Sequence, residues 1–161
     1  MAGFLPAKIV SGGQTGVDRA GLDAALERGL PIGGYIPKGA RAEDGRVPRK
    51  YGLTEIKSSD YSARTVKNVE TSDATLILYF EEMTGGTLLT CNVCLRLGKP
   101  VLCVDLLNTG EDCACAIGEF LNEVRPGVLN IAGPRESKTP GVYAAALRIL
   151  RQFFIPDCSI E

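Results

Sequence analysis

The run Ala7-Lys8-Ile9-Val10 leads without a spacer into Ser11-Gly12-Gly13-Gln14-Thr15-Gly16, and an alanine- and leucine-rich segment from Asp18 to Arg28 follows at once. This junction limits the possible folds more than anything else in the chain. It reads as a short buried strand, a glycine turn and a helix that Gly29 stops. Pro31-Ile32-Gly33-Gly34-Tyr35-Ile36 then resumes as a second strand. A β-turn-α-β unit of about 30 residues has the size of a parallel crossover.

The alternation continues along the chain. Pro37 to Gly52 is a polar loop rich in glycine, proline and charge, of a length that marks functional or disordered segments. Leu53 to Ile56 reads as a short extended piece and Tyr61 to Thr71 as a helix. Ala74-Thr75-Leu76-Ile77-Leu78-Tyr79-Phe80 is a continuous apolar run, as in a central strand covered on both faces. A helix opens at Thr84-Gly85-Gly86-Thr87 and ends near Gly98, and Val101 to Leu106 forms the next strand. Cys113 to Val124 is helical, Val128 to Ala132 is a strand, and a last helix starts near Pro140 and runs to about Phe154. The pattern predicts a single Rossmann-like α/β domain over residues 1–161, three-layered, with a mainly parallel sheet and helices on both faces. No shift in composition marks a second domain.

Composition narrows the partners. The chain has 161 residues with 18 basic and 19 acidic side chains, so its net charge of −1 supplies no general attraction to nucleic acid or anionic lipid. An anion site must therefore be local. No apolar run approaches the roughly 20 residues of a membrane span, and the first residues lack the pattern of a signal peptide, so a cytoplasmic protein is expected. Histidine is absent, which removes every histidine-dependent triad and metal site. The six cysteines (Cys91, Cys94, Cys103, Cys113, Cys115 and Cys158) are expected to be reduced, buried and apolar in role. Cys91-x-x-Cys94 with Cys113-x-Cys115 imitates a zinc site only loosely, because Cys91 and Cys94 fall in a helix without the tight turn of a zinc knuckle.

Ligands of such sheets bind at the carboxyl ends of the strands, where the strand order reverses. Three strand ends carry glycine-rich or charged loops. In the first, Gly12, Gly13, Gln14, Thr15 and Gly16 offer backbone amides at a helix start, an arrangement that cradles anions. Arg19 adds charge one turn in, and Asp18 either caps the helix or binds a ribose hydroxyl. The second loop is Thr84-Gly85-Gly86-Thr87-Leu88-Leu89-Thr90, and the third is Ala132-Gly133-Pro134-Arg135-Glu136-Ser137-Lys138. An ordinary glycine turn would explain any one of them; three on one edge favour a ligand crevice. The long loop contributes Lys38, Arg41, Glu43, Asp44, Arg46 and Arg49, of which Arg46 and Arg49 read as solvated. Arg64 and Asn68, four residues apart, share a polar helix side and are either ligand contacts or a surface pair.

These segments resemble one family in particular. Gly12 to Ala20, Pro37-Lys38-Gly39 with Ala42-Glu43-Asp44-Gly45, Tyr61-Ser62-Ala63-Arg64-Thr65 with Asn68-Val69, Gly85 to Thr90, and Leu129 to Lys138 are similar to the proteins named as molybdenum-cofactor carriers. That family is similar in turn to the LOG-type nucleotide phosphoribohydrolases and the DNA-processing protein DprA. The resemblance implies a molybdenum cofactor (a phosphorylated pterin) as ligand, and a homo-oligomer, dimer or tetramer. The enzymatic cousins carry Pro-Gly-Gly-x-Gly-Thr-x-x-Glu, whereas here Thr90 stands where their glutamate would be. A hydroxyl does not serve as a carboxylate acid or base near neutral pH.

The expectation is thus a carrier or binding protein for a small phosphorylated ligand, with no catalytic residue assigned. Its contacts would be Gly12, Gly13, Gln14, Thr15, Gly16, Asp18, Arg19, Lys38, Arg64, Asn68, Gly85, Gly86, Thr87, Thr90, Gly133 and Arg135. The alternative is a nucleotide sensor or a phosphoribohydrolase-like enzyme using Glu43 or Asp44, if the long loop folds over the crevice.

Overall fold

The computed structural model describes residues 3–108 and 112–154. Its centre is a five-stranded sheet formed by β1 (Lys8–Val10), β2 (Ile32–Gly33), β7 (Ala74–Tyr79), β8 (Val101–Asp105) and β9 (Val128–Ala132). Every neighbouring pair is parallel and the spatial order is β2-β1-β9-β7-β8. Registers such as Val10↔Asn130 and Thr75↔Asn130 put Asn130 level with both flanking strands. This is the Rossmann-like three-layer fold that the alternation predicts.

Five helices cover the sheet: α1 (Val17–Arg28), α2 (Tyr61–Glu70), α3 (Gly85–Leu97), α4 (Cys113–Val124) and α5 (Val142–Phe154). The main core joins α1, α4 and α5 to the sheet through Ala20, Ala24, Ile117, Leu121, Ala146 and Leu150. Alternate residues of β7, Leu76 and Leu78, enter that core fully buried. Truncating either to alanine should cost about 2–5 kcal/mol. A separate cluster joins α2 to α3 through Val69, Val93 and Cys94. Among the described residues no helix is long and apolar enough to cross a membrane.

One expected strand does not form as a unit. The run Pro31–Ile36 breaks at Gly34, where φ is +134° and an added Cβ would lie 2.0 Å from the Ser11 carbonyl oxygen. A side chain is excluded, and the chain turns out of the sheet. Beyond the break, β3 (Tyr35–Ile36) pairs instead with β6 (Thr54–Glu55) in a small parallel ribbon. The long polar loop is also structured. It holds the antiparallel hairpin of β4 (Arg41–Ala42) and β5 (Gly45–Arg46), followed by a 3-10 turn over Arg49–Tyr51. Ala40, Val47 and Tyr51 anchor it over Leu22 and Ile36 in a core of its own.

Sheet order positions the site. The chain passes from β1 outward to β2, and from β7 outward to β8 in the opposite direction, while β9 fills the middle. Hence the loops after β1, β9 and β7 belong to three adjacent strands and open at one edge.

Candidate functional site

The three loops enclose a cavity of about 360 Å³. Its wall includes Gln14 and Asp18 from the first loop and helix, Gly133, Pro134, Arg135 and Lys138 from the third, and Thr84, Gly86, Thr87 and Thr90 from the second. Tyr61, Arg64 and Thr65 of α2 close one side, and Glu43 reaches in from the β4–β5 hairpin.

Two glycines bring the first and third loops together. Gly16 has φ +83°, and a Cβ there would lie 2.3 Å from the Pro134 carbonyl oxygen. The next residue, Val17, donates its N–H to that same oxygen at 3.3 Å. Gly133 in turn lies so near β7 that a Cβ would meet the Leu78 carbonyl oxygen at 2.2 Å. Gly16 therefore serves contact between the two loops, and Gly133 fits the third loop against β7 and Val17. Gly12 makes room for a side chain, since a Cβ there would collide with Arg64 Nη1.

Arg64 and Asp18 form the crevice floor. Arg64 Nη1 lies 3.8 Å from Asp18 Oδ2, and the two side chains are only 14% and 6% exposed. Asp18 Oδ2 also accepts the Gln14 N–H at 3.2 Å, so its observed role is to tie down the turn from inside the first turn of α1. Burial lifts the Asp18 carboxyl to a pKa of about 6, against the pull of Arg64. Arg64 Nε is buried and has no hydrogen-bond partner.

The second loop starts α3 at Gly85, and Thr84 supplies no side-chain cap. The helix therefore presents its positive amide end to the crevice. Lys138 stands over that end, its Nζ 3.0 Å from where a Cβ on Gly85 would be. An ammonium against the positive end of a helix is unfavourable unless an anion lies with them.

The remaining sequence candidates divide. Thr87 lines the cavity. Thr90 lines it too, but its hydroxyl donates back to the Gly86 carbonyl at 2.9 Å. Asn68 is not half of a surface pair with Arg64: it is buried, and its amide accepts the Tyr35 N–H at 2.8 Å and donates to the Tyr35 carbonyl at 3.0 Å. Its polar atoms fix β3, and it borders only a small recess beside Arg64. Arg19 lies outside the cavity wall. It donates through Nε to the Gly13 carbonyl at 3.1 Å and makes a two-pronged pair with Asp44 at 2.5 and 2.7 Å. Lys38 is exposed and likewise outside the wall. Arg46 pairs with Glu55 at 3.5 Å at the surface.

The wall also takes in Tyr61, Thr65, Thr84, Lys138 and Glu43, the acid/base alternative, none of them among the contacts expected from the sequence, and Ser137 joins through Glu43. Lys138 was visible as the cation closing the third loop. Nothing in the sequence placed Glu43 against the first and third loops.

The cysteines are not uniformly buried. Cys94 is buried, and Cys91 and Cys103 approach to 3.7 Å between sulfurs, but Cys115 is exposed beside Glu119. The expected buried role therefore fails at Cys115, whose side chain is exposed in the first turn of α4. Cys158 lies outside the described residues. Among the described residues no side-chain group is placed to hold a metal ion.

Comparison with known proteins agrees with this architecture. The family model for the circularly permutated YpsA SLOG family matches residues 9–154. Among solved structures, the "Putative molybdenum carrier protein" of Syntrophus aciditrophicus SB is similar, with a TM-score of 0.90 and 45% sequence identity. The alignment covers 96% of this chain and 98% of that one. No curated protein sequence matches the chain.

Proposed function

Because this chain belongs to the circularly permutated YpsA SLOG family, we propose that its crevice is the binding site of a carrier protein for a small phosphorylated ligand. One observation carries the reading: Lys138 stands against the amide end of α3, which has no side-chain cap, in a cavity that Arg64 also lines. All three groups are electropositive. A phosphoryl group seated between Lys138 and the α3 amides would satisfy both with charge-assisted hydrogen bonds.

The similar protein from Syntrophus aciditrophicus is named a molybdenum carrier, which points to a molybdenum cofactor as cargo. The donor set suits such a molecule. Lys138 and the α3 amides would hold its phosphate, Thr84 and Thr87 would bond its polar edge, and the Tyr61 ring at the wall offers a face for a flat pterin. The metal would travel on the ligand.

A second reading has one observation in its favour. Glu43 reaches the cavity, as an enzyme acting on a nucleotide would need, and base release abolished by Glu43→Gln would promote that reading.

Calorimetric titration with inorganic phosphate tests the main proposal. Binding that weakens about tenfold or more in Lys138→Met supports it, on the scale of one lost charge-assisted contact. No binding to wild type, or binding indifferent to Lys138, would overturn it. Native mass spectrometry of the freshly isolated protein would give the cargo mass and, with it, the subunit count of the proposed homo-oligomer.

A further inference from the structure

Glu43 sits at the tip of the β4–β5 hairpin, yet every group it touches lies elsewhere. Its carboxylate accepts hydrogen bonds from Thr15 Oγ1 and Ser137 Oγ, and from the Ser137 N–H at 3.1 Å. Arg135 Nε stands 3.3 Å from it. Thr15 comes from the loop after β1, and Ser137 and Arg135 from the loop after β9. Two hydroxyls, an amide and a guanidinium converging on one pair of oxygens resemble the coordination of a phosphoryl group. Burial works against the Glu43 charge, but bonds from Ser137 and Thr15 and the field of Arg135 hold its pKa below the ordinary value.

We propose that Thr15, Ser137 and Arg135 form a second anion seat, and that Glu43 is its built-in occupant, displaced when a diphosphate-bearing ligand enters. The proposal rests on the reading of Lys138 and the α3 amide end as the first seat. Ser137 and Lys138 are consecutive, so the two seats are served by one short stretch of the loop after β9. Arg135 and Glu43 also share the cavity wall with Lys138.

Charge balance favours exchange over simple addition. An anion arriving beside Glu43 would meet a carboxylate, whereas one that replaces it inherits a satisfied set of donors and keeps Arg135 neutralised. The hairpin keeps other attachments, through Asp44 to Arg19 outside the cavity wall and through the Glu43 N–H to Gln14 Oε1 at 2.9 Å. Release of the Glu43 carboxylate therefore loosens the hairpin tip while the hairpin stays tethered.

The test is titration of pyrophosphate and of inorganic phosphate into wild type, Glu43→Gln and Lys138→Met, with thermal melts to verify folding. Pyrophosphate should bind Glu43→Gln about tenfold more tightly than wild type, because no charge-assisted bonds to Glu43 need breaking. Inorganic phosphate, filling the first seat alone, should bind both about equally. Glu43→Asp, whose shorter side chain draws the charge back from the seat, should gain less than the glutamine variant. Hydrogen exchange gives a readout in the unaltered protein: pyrophosphate should speed amide exchange across residues 41–46. Equal or weaker pyrophosphate binding by Glu43→Gln, or slower exchange in the hairpin, would overturn the second seat. If phosphate binding depends on Lys138 while Glu43→Gln gains nothing, the second seat alone falls. If neither anion binds wild type or Glu43→Gln, both readings fall.

Discussion

Asp18 and Arg64 face each other across the crevice floor at 3.8 Å, too far for a hydrogen bond and too buried for water to screen them fully. Burial outweighs the pull of Arg64, and the carboxyl keeps its proton to a pKa of about 6, against an ordinary 3.8. The native state thus binds this proton more tightly than the unfolded chain does. Its stabilising contribution is complete below about pH 4, drains away as pH rises, and is gone above about pH 6, a loss of about 3 kcal/mol. Asp18→Asn carries no such proton. Melting curves of the variant and wild type should converge or cross in the variant's favour between pH 4 and pH 7, whereas parallel curves would contradict the account.

Gly16→Ala would put a methyl group 2.3 Å from the Pro134 carbonyl, at a backbone φ of +83°. Backbone strain and collision act together, and a loss of about 2–4 kcal/mol in urea denaturation is expected. Gly29→Ala has a similar φ of +81° but open space around it. Its cost should be nearer 1 kcal/mol, roughly the penalty of the left-handed conformation alone. Equal losses at the two sites would mean that loop contact contributes little.

Asp23 accepts hydrogen bonds from two tyrosines, Tyr51 at 2.7 Å and Tyr143 at 2.5 Å. Burial, followed by the bond to Asp23, pushes Tyr143 up to about 12 and Tyr51 higher still. Spectrophotometric titration should show two phenols ionising above the ordinary tyrosine range. Asp23→Ala should bring both down, and an unchanged titration would show that burial alone sets them.

Cys115 is exposed and Cys94 buried, so alkylation followed by peptide mapping should label Cys115 well before Cys94. The Glu119 charge beside Cys115 raises its thiol pKa. Glu119→Gln should therefore speed Cys115 labelling near neutral pH by increasing the thiolate fraction. A rate that stays constant or drops would refute that influence.

The fold was legible because its punctuation is local. Gly12 to Gly16, Gly85-Gly86 and Gly133-Pro134 each end an apolar run and precede a helix, which periodicity and glycine chemistry suffice to read. The break at Gly34 was not, since a turn forced by the Ser11 carbonyl of a neighbouring strand leaves no mark in an apolar hexapeptide. Asn68 shows the same limit. Helical spacing puts it near Arg64, but only the folded chain reveals that its amide is spent on the Tyr35 backbone. Glu43 and Arg19 depend on where a long loop comes to rest, and that follows from the burial of Val47 and Tyr51 over Leu22.

The place of β9 bears on how the protein is made. Among the described residues, the strand latest in chain order is the one that belongs in the middle of the sheet, between β1 and β7. Until Val128–Ala132 has emerged, those two strands hold inward edges with unpaired amides and carbonyls, the kind of surface that recruits foreign strands. A nascent chain stalled before that point has two half-sheets and no crevice. Chaperone cover during synthesis, and failure of fragments truncated ahead of β9 to stay in solution, follow from strand order alone.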